Sequence, residues 1–363
     1  MCAHHDHPTP PLTLDDVARL DDIPAEEKTP DEVRAGLSTA RATVTVPPGE
    51  KLRQAGDGTL ILPEGSFYGR PMAETTLHKR GSLRNPDTPP PPYRPPWQPL
   101  LHYPRTTRSQ PRTLRRINGR TVVPLEGGHV YGEYPPRQTY FPSGYPWTCI
   151  GRVLVWQDAG SAGFDWSGTA ALVGKRAVLT ASHMVPWGAP NGAMQFVAGY
   201  FDGSSSVGQG GQSWATTAHG YAGQEVTAHD MAVVRLADPL GDWLGFMGTK
   251  PFDSSWQGGA YWTSVGYPGA VSDQRPSFQS GIHVIDDDED GDGQELEHHA
   301  DETPGDSGGP FFAGWSDGPY AVGTVAGYEV VSGPLGIGSE DNNISAGGPA
   351  LGGLVGFARA NWT

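Results

Sequence analysis

From Phe141 to the C-terminus the chain is written in short pieces, and this limits what it can fold into. Ile150–Trp156, Ala170–Val173, Ala177–Thr180, Gln195–Ala198, Met231–Leu236, Gly281–Ile285 and Ala321–Val325 are brief strand-like runs separated by Gly, Ser, Asn and Asp. β-Branched and aromatic residues suit a pleated surface, and the intervening residues suit turns. Many short strands between turn signals predict an all-β sandwich or barrel. Residues 141–363 are long enough for two packed β-barrels.

The preceding part reads differently. Of 25 Lys+Arg and 40 Asp+Glu, residues 1–140 hold 18 and 16, which leaves 7 and 24 for residues 141–363. Short helices are expected at Asp15–Leu20 and Pro30–Leu37, the second capped by Thr29 or Asp31. Short strands are expected at Thr43–Val46 and Leu60–Leu62. The run Pro89 to Trp97 favours polyproline II and reads as a spacer, with a ligand for an aromatic groove as the other reading. Arg105, Arg108, Arg112, Arg115, Arg116 and Arg120 follow it and suit proteolytic clipping, or a solvated loop equally well. The expected organisation is therefore a pro-region-like segment over 1–85, a Pro/Arg-rich linker over 86–140 and a folded domain over 141–363.

Composition excludes some functions. A net charge of −15 argues against binding nucleic acid by phosphate neutralisation. No apolar run approaches the ~18 residues of a membrane span. The start of the chain shows no secretory signal, and the cluster His4, His5, His7 reads as a polar tail. Cys2 and Cys149 allow at most one disulfide. Gly and Pro are abundant (51 and 35), but 11 Trp, 11 Phe and 13 Tyr supply the bulk for a core.

Three blocks carry the chemistry. Val178-Leu179-Thr180-Ala181-Ser182-His183 is an apolar strand that delivers a His into a loop. His229-Asp230-Met231-Ala232-Val233-Val234-Arg235-Leu236 opens a buried strand with an Asp. Thr303-Pro304-Gly305-Asp306-Ser307-Gly308-Gly309-Pro310 is a Gly-rich turn that exposes one Ser. A Ser hydroxyl needs a base to take its proton, and an imidazole titrates in the right range. A buried carboxylate fixes the imidazole tautomer and stabilises the imidazolium. Backbone N–H groups of Gly305 and Ser307 are placed to receive an oxyanion. Asp238 and Asp202 are rival carboxylates; His219, His229, His283, His298 and His299 read as surface or loop residues.

In the order His, Asp, Ser, these blocks resemble the trypsin/chymotrypsin-type serine endopeptidases, in a bacterial or fungal branch related to the glutamyl endopeptidases. The resemblance runs from about Tyr145 to Trp362, with Tyr145-Pro146-Trp147 and Ser167 to Leu172 resembling the first strands. It implies two six-stranded antiparallel β-barrels with the site in the cleft between them, preceded here by a Pro-rich, largely irregular segment. It implies peptide hydrolysis through His183, Asp230 and Ser307 and an acyl-enzyme, polypeptide substrates, no required cofactor, a monomer and secretion. It places Asp301 and Val325 in the substrate pocket. Asp301 points to cleavage after Arg or Lys, with an apolar or undefined preference as the alternative; Val325, where glutamyl endopeptidases usually carry a His, counts against acidic preference. In trypsin relatives a freed Ile ammonium pairs with the Asp before the nucleophile, here Asp306, and Arg116-Ile117-Asn118-Gly119 is a candidate for that cut. Two departures stand out: Met184 replaces a Cys that often follows the His, and Ala326 replaces a Ser that supports the catalytic Asp.

One further segment fits a calcium-loop spacing. Asp286, Asp288, Asp290, Asp292 and Glu297 are hard oxygen donors placed about Gly291. A structural Ca²⁺ site and a solvated acidic loop both fit this pattern.

Overall fold

A strand buried on both faces needs apolar residues without alternation, and residues 231–236 show why this chain has them. In the computed structural model, which describes residues 8–107, 115–117, 120–122, 130–222, 227–272, 274–332 and 339–363, Val234 and Leu236 point into a barrel core with Val153, Val155, Leu172, Val178 and Phe196. Met231 and Val233 point the other way, onto Leu351, Leu354, Val355 and Ala358. Those four residues belong to the C-terminal helix Pro349–Asn361, which starts with Pro at its first turn, where the missing N–H is not needed.

The barrel is closed and antiparallel. Ile150–Trp156 pairs with Trp166–Leu172, which pairs with Ala177–Thr180, then Ala232–Leu236, Gln212–Tyr221 and Ala193–Ala198, and the last strand returns to the first. Closure leaves no edge among these six strands. The second body is a large sheet that runs from Asp286–Asp290 through Gly293–His298, Ser339–Gly347, Gly318–Ser332, Pro310–Trp315, Trp262–Gly266 and Ser277–Ile282 to Gln138–Phe141 and Arg105–Thr106. The mostly β architecture, one closed six-stranded barrel beside a second large sheet, agrees with a chymotrypsin-like double barrel. Tyr140, Trp147, Ile150, Ala171, Val265, Phe278 and Phe312 form an apolar cluster that joins the two bodies.

Strands Ile150–Trp156 and Ala177–Thr180 have the bounds expected from sequence. The N-terminal helices fall at Leu14–Ala18 and Asp31–Ser38. The second begins at Pro30 with no side-chain cap, whereas Thr13 and Asp16 form a reciprocal capping box on the first. Residues 1–140 are attached to the domain at several points. Glu74–His78 adds a parallel strand to the barrel along Gln212–Tyr221. Within the Pro-rich run, the Tyr93 amide and carbonyl pair with Phe246, and the Pro90 carbonyl accepts from the Thr249 amide. Arg115–Ile117 pairs with Arg120–Val122. Cys2, His4, His5, His7, Arg108, Arg112, Asn118 and Gly119 lie outside the described residues. Cys149 is buried, with a free thiol.

Candidate active site

His183 sits in the 3-10 turn Ser182–Met184, directly after the strand Ala177–Thr180. No disulfide braces this turn. Two indoles do so instead: Trp187 Nε1 donates to the Ser182 carbonyl at 2.8 Å and Trp166 Nε1 to the Met184 carbonyl at 3.2 Å. Asp230 follows the turn Thr227–His229 and opens the strand Ala232–Leu236. The adjacency of those two strands in the barrel brings the two residues together. His183 Nδ1 lies 2.6 Å from Asp230 Oδ2, and the His183 amide donates to Oδ1 at 2.8 Å. The carboxylate is buried and the imidazole is 40% exposed, so the ring is tethered on one side and open on the other. Ala326 is a small buried residue of the helix-facing cluster and offers no hydroxyl, which leaves both oxygens of Asp230 to His183. Asp238 is engaged elsewhere with Arg41 and Ser213, and Asp202 with Arg275.

Ser307 comes from the second body. Its turn is pinned by the barrel strand Trp166–Leu172: the Thr169 amide donates to the Ser307 carbonyl at 2.8 Å, and Thr169 Oγ1 to the Gly305 carbonyl at 2.7 Å. Among the described residues the Gly305 and Ser307 amides donate to no protein acceptor, whereas the intervening Asp306 amide donates to the Thr303 carbonyl. Two unpaired N–H groups on one rigid turn are what a developing oxyanion requires. Gly305 and Gly308 have φ of +107° and +80°. A Cβ at Gly308 would collide with Thr180 Oγ1 and the Thr169 carbonyl. The same glycine packs its backbone against the Ala181 amide, two residues before His183, and this places Ser307 beside the imidazole's loop. Ser307 is half-buried, and among the described residues its hydroxyl makes no hydrogen bond, to His183 or elsewhere. Such bonds are often long until substrate closes the site.

The pocket residues behave less simply. Val325 is buried and uses its backbone to hold the turn, donating to the Gly309 carbonyl and accepting from the Gly308 amide. Asp301 Oδ1 accepts from the Tyr131 and Gly132 backbone amides at 2.9 and 3.0 Å, and Oδ2 from Gln279 Nε2 at 3.1 Å. Its carboxylate is therefore largely occupied by the chain's own donors.

Sequence reasoning missed Arg137. Its side chain is 3% exposed, and Nη2 lies 3.0 Å from Oδ1 of the fully buried Asp306. The approach is off the N–H axis, so the attraction is chiefly coulombic. The guanidinium's aligned hydrogen bonds go to Ser277 Oγ, the Ser277 carbonyl, Ser264 Oγ and the Asp301 carbonyl. The partner expected for Asp306 was a freed N-terminal ammonium; an internal arginine stands there instead. A signal existed, since a chain half with so few cations that must bury an Asp needs one from somewhere.

Glu302 shares this buried cluster and accepts from Ser264 Oγ at 2.8 Å. Burial first, and the neighbouring Asp306 second, push its carboxyl up to about 8. Burial also pushes Asp306 up to about 6 against the pull of Arg137. From the ordinary 4.5 to about 8, folded Glu302 holds a proton that the unfolded chain has released, so stability falls as pH rises through that window. Glu302→Gln removes this contribution. Its melting temperature is expected to gain on wild type progressively from pH 5 to pH 8 in calorimetry; parallel curves would show that Glu302 is ionised in the fold.

The acidic segment is not the loop its spacing suggested. Asp286–Asp290 and Gly293–His298 form an antiparallel hairpin in which Asp286 faces Glu297 and Asp288 faces Glu295. Alternation spreads the carboxylates along one strand face instead of closing them around an ion. Among the described residues no group of three or more His, Cys, Asp or Glu is placed to hold a metal. Burial, with repulsion from Glu329, Asp288 and Asp286 behind it, pushes Glu297 up to about 6. Asp292 is turned away, toward His229.

Residues 168–318 match the family model of the trypsin-like peptidase domain. This segment is thus a trypsin-like peptidase domain, and the protein is a serine-type endopeptidase, a hydrolase acting on polypeptides. Its fold is similar to that of solved serine proteases at low identity. A Glu endopeptidase in complex with MPD is 17% identical, with 60% of this chain and 93% of that chain covered and a TM-score of 0.45. The protease Anisep from Arthrobacter nicotinovorans is 18% identical over 58% and 93%, with a TM-score of 0.42. The thermostable serine protease AL20 from an extremophilic microorganism is 19% identical over 59% and 98%, with a TM-score of 0.43. No curated protein matches the sequence. Among the described residues no helix is long and apolar enough to cross a membrane.

Proposed function

We propose that the enzyme cleaves peptide bonds through Ser307 as nucleophile, His183 as general base and acid, and Asp230 as the carboxylate that orients and stabilises the imidazole. The observation that carries this reading is the doubly hydrogen-bonded His183–Asp230 pair, with the Ser307 turn pinned to the adjoining barrel strand at Thr169. In this scheme His183 Nε2 takes the Ser307 proton as Oγ attacks the carbonyl carbon. The resulting oxyanion sits on the Gly305 and Ser307 amides, and the proton passes to the leaving amine. Water then repeats the sequence on the acyl-enzyme. A fluorophosphonate probe tests the assignment: the label is expected on the peptide that contains Ser307, in a time-dependent reaction, and an unlabelled or differently labelled folded protein would reject it.

Preference at the cleaved bond follows from Asp301. A carboxylate that selects Arg or Lys must meet the substrate with open acceptor sites, and this one is engaged by Tyr131, Gly132 and Gln279. The reading favoured here is that Asp301 shapes the pocket wall. Asp301→Asn is expected to lower kcat/KM for a peptide series varied only at the cleaved residue by a similar factor throughout. A loss confined to Arg and Lys substrates would restore Asp301 as the selecting charge. Secretion and removal of the N-terminal segment complete the proposal, and N-terminal sequencing of the exported enzyme tests both.

A further inference from the structure

We propose that Asp292, at the tip of the acidic hairpin, is a positioning residue for Asp230 and acts through His229. The inference rests on the reading of Asp230 given above. His229 immediately precedes Asp230, and its side chain is fully buried. Its Nε2 meets Asp292 Oδ1 at 2.8 Å. The neighbouring amide is held in the same way, Ala228 N–H donating to Glu295 Oε1 at 2.9 Å, and the Asp230 amide closes the turn on the Thr227 carbonyl at 3.0 Å. Three successive residues that lead into the carboxylate are therefore tied down, two of them by acids of one hairpin.

Asp292 is itself fixed. Its Oδ2 accepts from the Gly81 amide at 3.1 Å, and its carbonyl accepts from the Ala350 amide at 2.7 Å at the start of the C-terminal helix. The His229 ring also packs edge-on against Tyr221, whose hydroxyl donates to the Ala350 carbonyl. On the far side, His229 Nδ1 is buried without a hydrogen-bond partner, 4.0 Å from Asp290, whose own partner is Arg80. The imidazole thus has one anchoring hydrogen bond, and Asp292 supplies it.

The need for such a brace is local. Both oxygens of Asp230 are given to His183, and Ala326 supplies no hydroxyl to hold the carboxylate from behind. Apart from those two bonds, its direction is set by the backbone turn. That turn belongs to the barrel, whereas the hairpin belongs to the sheet that carries Ser307. The Asp292–His229 contact therefore sets the His183–Asp230 unit against the nucleophile's body.

Asp292→Ala is expected to lower kcat by about 10–100-fold with KM within about twofold, the size typical where an outer partner that orients a metal-ligating imidazole is removed. Asp292→Asn keeps an oxygen acceptor for Nε2–H and should recover most of the loss. Gly293→Ala leaves every partner in place but presses a Cβ against the His229 ring, and should lower kcat as well. The downfield proton resonance of His183 Nδ1–H reports the His183–Asp230 bond directly. It should weaken or shift in Asp292→Ala and Gly293→Ala and return in Asp292→Asn. Should Asp292→Ala not fold, the Asn and Gly293 variants decide. Unchanged kcat and an unchanged resonance in the folded variants would overturn the proposal. Asp230→Asn is the separate control: if it retains full activity, the reading of Asp230 fails, whatever Asp292 does.

Discussion

Ser307→Ala is expected to reduce kcat/KM on casein or a peptide substrate by roughly 10⁴- to 10⁶-fold while the protein stays folded. The size follows from the division of labour at the site. Without the hydroxyl there is no acyl-enzyme, and only substrate binding and the proposed oxyanion donors, the amides of Gly305 and residue 307, remain to assist attack by water. Stability should hardly move, within about 0.5 kcal/mol, because the lost oxygen is half-buried and makes no hydrogen bond among the described residues. His183→Ala should cost a similar factor, and the double variant no more than either single one, since nucleophile and base act as one unit. Residual activity near wild type in a homogeneous Ser307→Ala preparation would move the nucleophile elsewhere.

What was legible in the chain was what local chemistry demands. His183, Asp230 and Ser307 each sit at the junction of a strand and a turn, and the residue types on either side show it: an apolar strand before the imidazole, another after the carboxylate, glycines about the hydroxyl. Strands Ile150–Trp156 and Ala177–Thr180 were readable to the residue because turn formers bound them. The acidic segment shows where such reading stops. Carboxylates at alternate positions suit a calcium loop, and they equally suit one face of a strand. The deciding fact was the partner strand across Gly291, whose φ of +67° fits a tight hairpin turn. The glycine-first pair Gly291-Asp292, which suits a two-residue hairpin turn, was the available hint. Arg137 and Asp292 were invisible for a different reason. Each acts on a residue far away in sequence, and no periodicity or turn rule encodes a partner that only the tertiary fold supplies. Residues 131–137, read as the end of a linker, thus prove to hold both Asp301 and Asp306.

Arg137→Ala should be the most destructive change outside the three proposed catalytic positions. Removing one partner of a buried ion pair typically costs about 3–5 kcal/mol, because the other charge is left without compensation. Here the abandoned groups are Asp306 and, beside it, Glu302, both buried. Four aligned hydrogen bonds to Ser277, Ser264 and Asp301 disappear as well. On the proposed mechanism the effect reaches the chemistry because Asp306 lies between Gly305 and Ser307, whose amides have no protein acceptor among the described residues. If its carboxylate swings out or takes a proton, the turn from Gly305 to Ser307 loses its inner anchor, and loss of even one oxyanion donor is worth about 10²–10³ in rate. Arg137→Lys keeps the charge but not the fork, so it should fall between wild type and Ala in both melting temperature and kcat. Adding Asp306→Asn to Arg137→Leu removes the stranded charge and should return part of the lost stability without returning activity. The same pair bears on activation. An arginine already inside the chain neutralises Asp306, so ordering the oxyanion turn needs no new N-terminus near Ile117, and the uncleaved 363-residue chain should react with a fluorophosphonate. Full activity and an unshifted melt in Arg137→Ala, or labelling that begins only after cleavage at Arg116, would show that the Arg137–Asp306 pair does not hold the site together.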